Sequence, residues 1–248
     1  MPTVERAGAT IYYEDHGDPS LPALLLLAPG ALNSTIDFWT RMSINPFEAF
    51  AGEFRIIGMD QRNAGVRSHG PLEIQDPWRM YAEDQLAVLD QLGVEKTLVI
   101  GCCIGSSFIF KLLELAPERV VAGIPMQPIG HDDSNAGTFG ANTWQPWGQN
   151  LIDKGASFTM DDVDAFGHGL FDSGFVFTAT RDELKSFQTP LLLLYGNDRA
   201  HPRGVSVEVG RLLPNVQIVQ EWKDEAAVPG AIEQMRTFLR AHQLVSAR

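Results

Sequence analysis

Cysteine is nearly absent from this chain: its 248 residues contain two, Cys102 and Cys103, and they are neighbours. Adjacent cysteines exclude an ordinary disulfide framework, and free thiols fit a reducing compartment. There is no second cysteine pair and no close pair of histidines, so the spacing of a zinc site is missing as well. Basic residues are also scarce. Nineteen Lys and Arg stand against 31 Asp and Glu, giving a net charge of −12. No basic cluster interrupts that balance, which makes nucleic acid and anionic membrane poor partners. Long apolar runs are lacking too. The longest, Ala23 to Ala28, is strand-sized and far below the roughly 18 residues of a membrane span. The opening residues MPTVERAGATIYYEDHG carry acids and alternating residues where a secretory leader needs a basic head and a long apolar stretch. A cytoplasmic protein with no metal and no cofactor is expected.

What is present is a core-building sequence. With 44% hydrophobic residues, the chain suits one sizeable domain, or a core carrying a small insertion. Its organising stretch is Leu98 to Leu115, LVIGCCIGSSFIFKLLEL, which reads as an apolar strand, a glycine-flanked turn and a helix. Small residues on both sides of Cys103 let strand and helix pass close to one tightly bent residue. That bend pushes the Cys103 side chain out at a helix N-terminus, whose free N–H groups and dipole favour a thiolate. Cys102 points the other way, into the packing of the strand.

Around this stretch the chain alternates apolar strands with helices. Thr10–His16 alternates and breaks at Gly17, as a hairpin strand does. Ala23–Ala28 reads as a strand covered on both faces. Arg55–Asp60 and Val120–Met126 are further strands, and Tyr81–Leu92 repeats apolar residues at helical spacing until Gly93. Residues 131–186 differ in texture, being irregular and aromatic, with capping boxes expected at Thr159 and Thr180. We read them as a cap lying over the carboxyl edge of the sheet, inserted after the sixth core strand. Most of its aromatics form the cap's own small core, and two or three facing inward would make an apolar pocket. The core resumes with a strand at Leu191–Tyr195, another at Val216–Trp222 and a closing helix over Ala231–Ala241. The pattern predicts a mostly parallel α/β sheet flanked by helices, with 1–130 and 187–248 as core.

Ligands of such sheets bind beyond the carboxyl ends of the strands. The segments that arrive there, LLLLAPGA, IIGMDQRNAGVRS, the elbow GCCIG and TPLLLLYGNDRAHP, resemble the α/β-hydrolase fold. The second is similar to that fold's D-x-R-G-x-G-x-S loop. The resemblance implies that Cys103 is the nucleophile, as in the dienelactone hydrolase branch, where Cys replaces Ser. It also implies an oxyanion hole formed by the backbone N–H groups of Ala31 and Ile104, with Pro29 standing where many relatives have His. Asp198, in the turn after TPLLLLYG, falls where the fold's acid lies, although Gly-Asn-Asp is also ordinary turn chemistry.

The histidine is the difficulty. The resemblance puts it after the last strand, within residues 223–230, and none is there. His201, three residues past Asp198 in a loop that must run beside the elbow, is the first candidate for the base, and Pro202 holds its backbone extended. His131 at the cap entrance, and His168 and Trp144 within the cap, are candidate substrate contacts or simply polar and packing residues. A thiol needs a base less than a serine does, because its free pKa is about 8.5. Deacylation still requires activated water. The leading expectation is a hydrolase forming an acyl-enzyme on Cys103 from a small apolar or aromatic ester, lactone or thioester. The alternatives are a lyase or cofactor-free enzyme on the same fold, or a ligand-binding member that lost the distal histidine.

Overall fold

Alternation along the apolar strands decides the architecture. In the computed structural model, which describes residues 1–243, the chain runs β1 (Thr3–Arg6), β2 (Ala9–His16), β3 (Ala23–Leu27), α1 (Pro46–Ala49), β4 (Arg55–Met59), α2 (Pro77–Gln91), β5 (Thr97–Cys102), α3 (Ile104–Leu115) and β6 (Val120–Met126). It continues through α4 (Ala141–Asp153), α5 (Met160–Phe171), α6 (Arg181–Ser186), β7 (Leu191–Leu194), α7 (Arg203–Leu212), β8 (Val216–Val219) and α8 (Val228–His242). The eight strands form one sheet in the order β1-β2-β4-β3-β5-β6-β7-β8. Pairings from β4 to β8 are parallel, and only the β1–β2 and β2–β4 pairings are antiparallel, so β2 alone runs against the rest.

Successive strand residues point to opposite faces, so an unbroken apolar strand must be covered on both sides. Leu25, Leu27, Ile57 and Val99 pack with Val88 and Leu89 of α2 and with Phe108 and Leu112 of α3. Leu24, Leu26, Ile56 and Ile100 pack on the other face with Phe50, Phe54 and the α8 residues Met235, Phe238 and Leu239.

Four elements escape the apolar pattern: β1, α1, α4 and α7. In α7, Gly204 and Gly210 dilute the helical signal that Val205 and Val209 carry. The last strand is also shorter than the sequence suggests. It ends at Val219, and Gln220 and Glu221 are exposed before Trp222 turns inward and donates its indole N–H to the Tyr195 carbonyl at 2.7 Å.

The segment between β6 and β7 holds α4, α5 and α6, with capping boxes at Thr159 and Thr180. Its fastenings run to the carboxyl end of the sheet. Trp147 donates to the Asn63 carbonyl at 3.0 Å, Trp78 of α2 donates to Leu170 at 3.0 Å, and Ser107 of α3 donates to Val176 at 3.0 Å. Helix α4 also packs against the turn Ala31–Asn33. Phe166, Phe171, Phe175 and Phe177 are buried, and Phe139 is partly so.

Candidate active site

The bend at residue 103 follows from close packing. A Cβ on Gly101 would lie 2.2 Å from the Gly105 carbonyl oxygen, and one on Gly105 would lie 2.1 Å from the Leu27 oxygen. Only glycine lets β5, α3 and β3 meet this tightly. Cys103, between them, adopts φ 60 and ψ −118, a conformation that costs a non-glycine residue on the order of 1–3 kcal/mol. Its N–H donates to Met126 at 2.9 Å, and the Ser106 hydroxyl donates to Gly101 and Met126, which fixes the bend to two strands.

The two cysteines then part. Cys102 is fully buried and accepts a hydrogen bond from Gln127 Nε2 at 3.5 Å; burial, with Cys103 beside it, holds its thiol well above the ordinary range. Cys103 is half-buried and packs at the junction of the two hydrophobic clusters.

Asp198 and His201 share one short turn. Asp198 Oδ1 accepts from the N–H groups of Ala200 and His201, both at 3.0 Å, and from His201 Nδ1 at 2.7 Å. Its Oδ2 accepts from Lys223 Nζ at 2.8 Å. These donors, the His201 hydrogen bond foremost, hold the carboxyl far below the usual carboxylate range. The turn also needs room, because a Cβ on Gly196 would lie 2.3 Å from the His201 carbonyl oxygen.

With Nδ1 committed to Asp198, the other ring nitrogen is free to meet the elbow. His201 Nε2 is buried without a partner among the described residues, and the Cys103 sulfur is its neighbour. Burial works to lower the pKa of the ring. The charge of Cys103 and the hydrogen bond to Asp198 outweigh it and raise the value to about 9. A partnerless buried nitrogen beside a thiol is a proton relay in waiting rather than a finished hydrogen bond.

The Ile104 N–H follows Cys103 directly, and the Ala31 N–H follows β3, the strand paired with β5. Ile104 opens α3, where N–H groups have no helical partner. Ala31 follows Gly30 with φ 51, and among the described residues neither N–H has an acceptor. The Ala31 turn is clamped from the next loop. The Ser34 hydroxyl donates to Ala28 at 2.7 Å, and Gln61 N–H donates to Ser34 at 3.0 Å. Asp60, gripped by Arg67, accepts from Ile36 N–H at 2.9 Å. Asn63, where the D-x-R-G-x-G-x-S loop has its first glycine, takes φ 61, a conformation that asparagine tolerates.

The remaining candidates separate. His131 is exposed, sets its edge on Phe177 at 4.9 Å, and with Phe139 and Phe177 lines a hollow of about 290 Å³ after β6. Trp144 is not placed to touch a ligand. It is 2% exposed, stacked on Phe171 at 5.9 Å, and its indole N–H is used by Asp164, so it belongs to the core of the inserted segment. His168 is exposed and bound to Asp172 at 2.6 Å, and it lines none of the hollows described. Among the described residues, no group of three or more His, Cys, Asp and Glu is placed to hold a metal ion.

Two neighbours of the site carry no sequence signal of their own. Lys223 reaches Asp198 across 25 residues. Gln127 takes φ 42 directly before Pro128, where extended backbone is the rule, and its buried Oε1 has no partner among the described residues.

Residues 23–159 match the alpha/beta hydrolase fold family, and the chain belongs to it. It is 26% identical over 228 residues to carboxylesterase YbfK of Bacillus subtilis (strain 168), covering 81% of this chain and 73% of that protein. Among solved structures, carboxylesterase CesB (YbfK) from Bacillus subtilis superposes with TM-score 0.67 at 23% identity, covering 96% of this chain and 90% of that one. Esterase RhEst1 from Rhodococcus sp. ECU1013 does so with TM-score 0.68 at 19% identity, covering 97% and 98%. These likenesses are of fold.

Proposed function

We propose that the protein is an esterase that uses Cys103 as its nucleophile, with His201 as base and acid and Asp198 as orienter, on small esters, lactones or thioesters. One contact supports this reading above the rest. His201 Nδ1 is tied to Asp198 at 2.7 Å, and Nε2 is left unpaired beside the Cys103 sulfur. That is the nucleophile, base and orienter constellation by which acyl transfer is recognised on any fold. A carboxylesterase among the relatives supports the ester class.

In the first step the Cys103 thiol passes its proton to His201 Nε2, and the sulfur attacks the carbonyl carbon. The carbonyl π pair moves onto oxygen, which the Ala31 and Ile104 N–H groups stabilise. Losing one such donor typically costs about 10²–10³ in rate. The intermediate collapses, the C–O or C–S bond breaks, and His201 returns its proton to the leaving group. Water then attacks the Cys103 thioester as neutral His201 takes its proton; the C–S bond breaks, the Cys103 sulfur takes that proton back from His201, and the acid departs. Since His201 supplies the base, the vacant segment after β8 does not leave the acyl-enzyme stranded. The hollow beside Phe139 and Phe177, lined also by His131, Asp132, Asp133 and Asn135, adjoins the first turn of α7, just past His201.

Intact-mass measurement with a panel of activated aryl esters and lactones tests the reading. A transient acyl adduct is expected on the native protein, a long-lived one on His201→Gln, and none on Cys103→Ala, whose turnover is abolished. Unchanged turnover by Cys103→Ala rejects the assignment.

A further inference from the structure

In the segment after β8, where the fold resemblance places a histidine, the side chain that reaches the site belongs to Lys223. Its position is built from the strand outward. Trp222 is 2% exposed and fastened by its indole N–H to the Tyr195 carbonyl, three residues before Asp198 opens the turn that ends at His201. Lys223 leaves this anchor with its Nζ 5.5 Å from the Trp222 ring and meets Asp198 Oδ2 at 2.8 Å. The two carboxylate oxygens thereby have separate duties. Oδ1 takes His201 Nδ1 and two backbone N–H groups, and Oδ2 takes only the ammonium.

We propose that Lys223 is a positioning residue of this site: by holding Oδ2 of Asp198 it fixes the carboxylate rotamer, reserves Oδ1 for His201, and offsets part of the negative charge felt by the imidazole. The inference rests on the reading of Cys103, Asp198 and His201 as the working group. As a stability device the pair matters little, since Asp198 is 47% exposed and Lys223 23% exposed. Its effect falls on the orientation and charge of the acid. The titratable groups that face this cluster are Cys103 from the elbow, Cys102 from β5, and Asp198 and His201 from their own turn. Lys223 is the only fixed cation that bears on Asp198 from outside that turn among the described residues.

Removing the ammonium leaves the Asp198 charge to act on His201 alone, so the imidazolium should hold its proton to higher pH. The test follows the His201 ring proton signal by NMR against pH in the native protein, Lys223→Met and Lys223→Arg, alongside ester hydrolysis. In Lys223→Met the His201 midpoint should rise by about half a pH unit. Its kcat should fall about tenfold as the carboxylate loosens, with KM little changed. Lys223→Arg, which keeps the cation, should restore both, and Lys223→Gln carries the same test if the Met variant does not fold. A His201 midpoint unmoved in the neutral variants, or no rescue by Arg, overturns the proposal. His201→Gln separates the two levels: full hydrolysis in that variant removes the underlying reading, whereas lost hydrolysis with an unmoved midpoint in Lys223→Met removes only the role of Lys223.

Discussion

At the amino ends of the strands, the turns with positive φ belong to glycine. Gly17, Gly52 and Gly93 take φ 105, 76 and 66, and nothing lies within 4 Å of where a Cβ on Gly52 or Gly93 would stand. At the carboxyl ends of β3, β4, β5 and β6 the same region of backbone space is occupied by Ala31, Asn63, Cys103 and Gln127, at φ 51, 61, 60 and 42. Glycine adopts such angles freely, whereas other residues persist there only when their surroundings over-determine them. The two ends of one sheet therefore differ in what holds them: the first is relaxed, and open at Gly52 and Gly93, the second strained and clamped by Ser34, Asp60 and Ser106. Strain concentrates where side chains and N–H groups must be aimed.

Crowding the strained end should do far more harm to the reaction than crowding the relaxed one. Gly196→Ala forces the His201 turn to shift and should lower kcat/KM about 100-fold, the scale of an ångström-sized misplacement. Gly93→Ala should cost about 1 kcal/mol of stability and leave kcat/KM alone. Equal rate losses in the two variants would erase the contrast.

The next effect is on stability against pH. In the folded protein the pKa of His201 is raised to about 9 from the ordinary 6.5 of an imidazole, so the folded ring holds a proton that the unfolded one releases. The associated stabilisation is complete below about pH 6.5 and disappears as pH rises through about 9, on the order of 2 kcal/mol over that window. Denaturant midpoints of the native protein should fall accordingly, and those of His201→Gln should lose that slope. The opposite slope would contradict the charge pairing at the elbow.

Least in size is the strain itself. Cys103→Gly should be more stable than Cys103→Ala by about 1 kcal/mol, because glycine relieves φ 60 at the bend. If Ala is the more stable of the two, the elbow stores nothing.

Much of this was legible along the chain. Leu24 to Leu27, Val99 and Ile100 announce buried strands by being apolar without interruption, and Gly101 and Gly105 mark the close crossing at the elbow by lacking side chains. Cys103, Asp198 and His201 were each recognisable by their place after a strand, and the coordinates bring the three together. Lys223 was not, since its meaning lies in where a four-carbon stem reaches, a matter of the Trp222 anchor and the Tyr195 carbonyl far away in sequence. The aromatic stretch also withheld its detail. Trp144 and Phe139 belong to the same texture, yet one is sealed against Phe171 and Asp164 and the other faces a hollow. Helix α7 was hidden by its own glycines.

The turn from Asp198 to His201 closes on itself, with backbone bonds in both directions and the carboxylate folded back onto the imidazole. Asp198 and His201 thus sit in one self-closed turn, tied from outside by Lys223, which lies just ahead of the C-terminal helix. A shift of the segment after β8 would therefore reach the imidazole through a single carboxylate oxygen, while the hydrogen bonds inside the turn stay local.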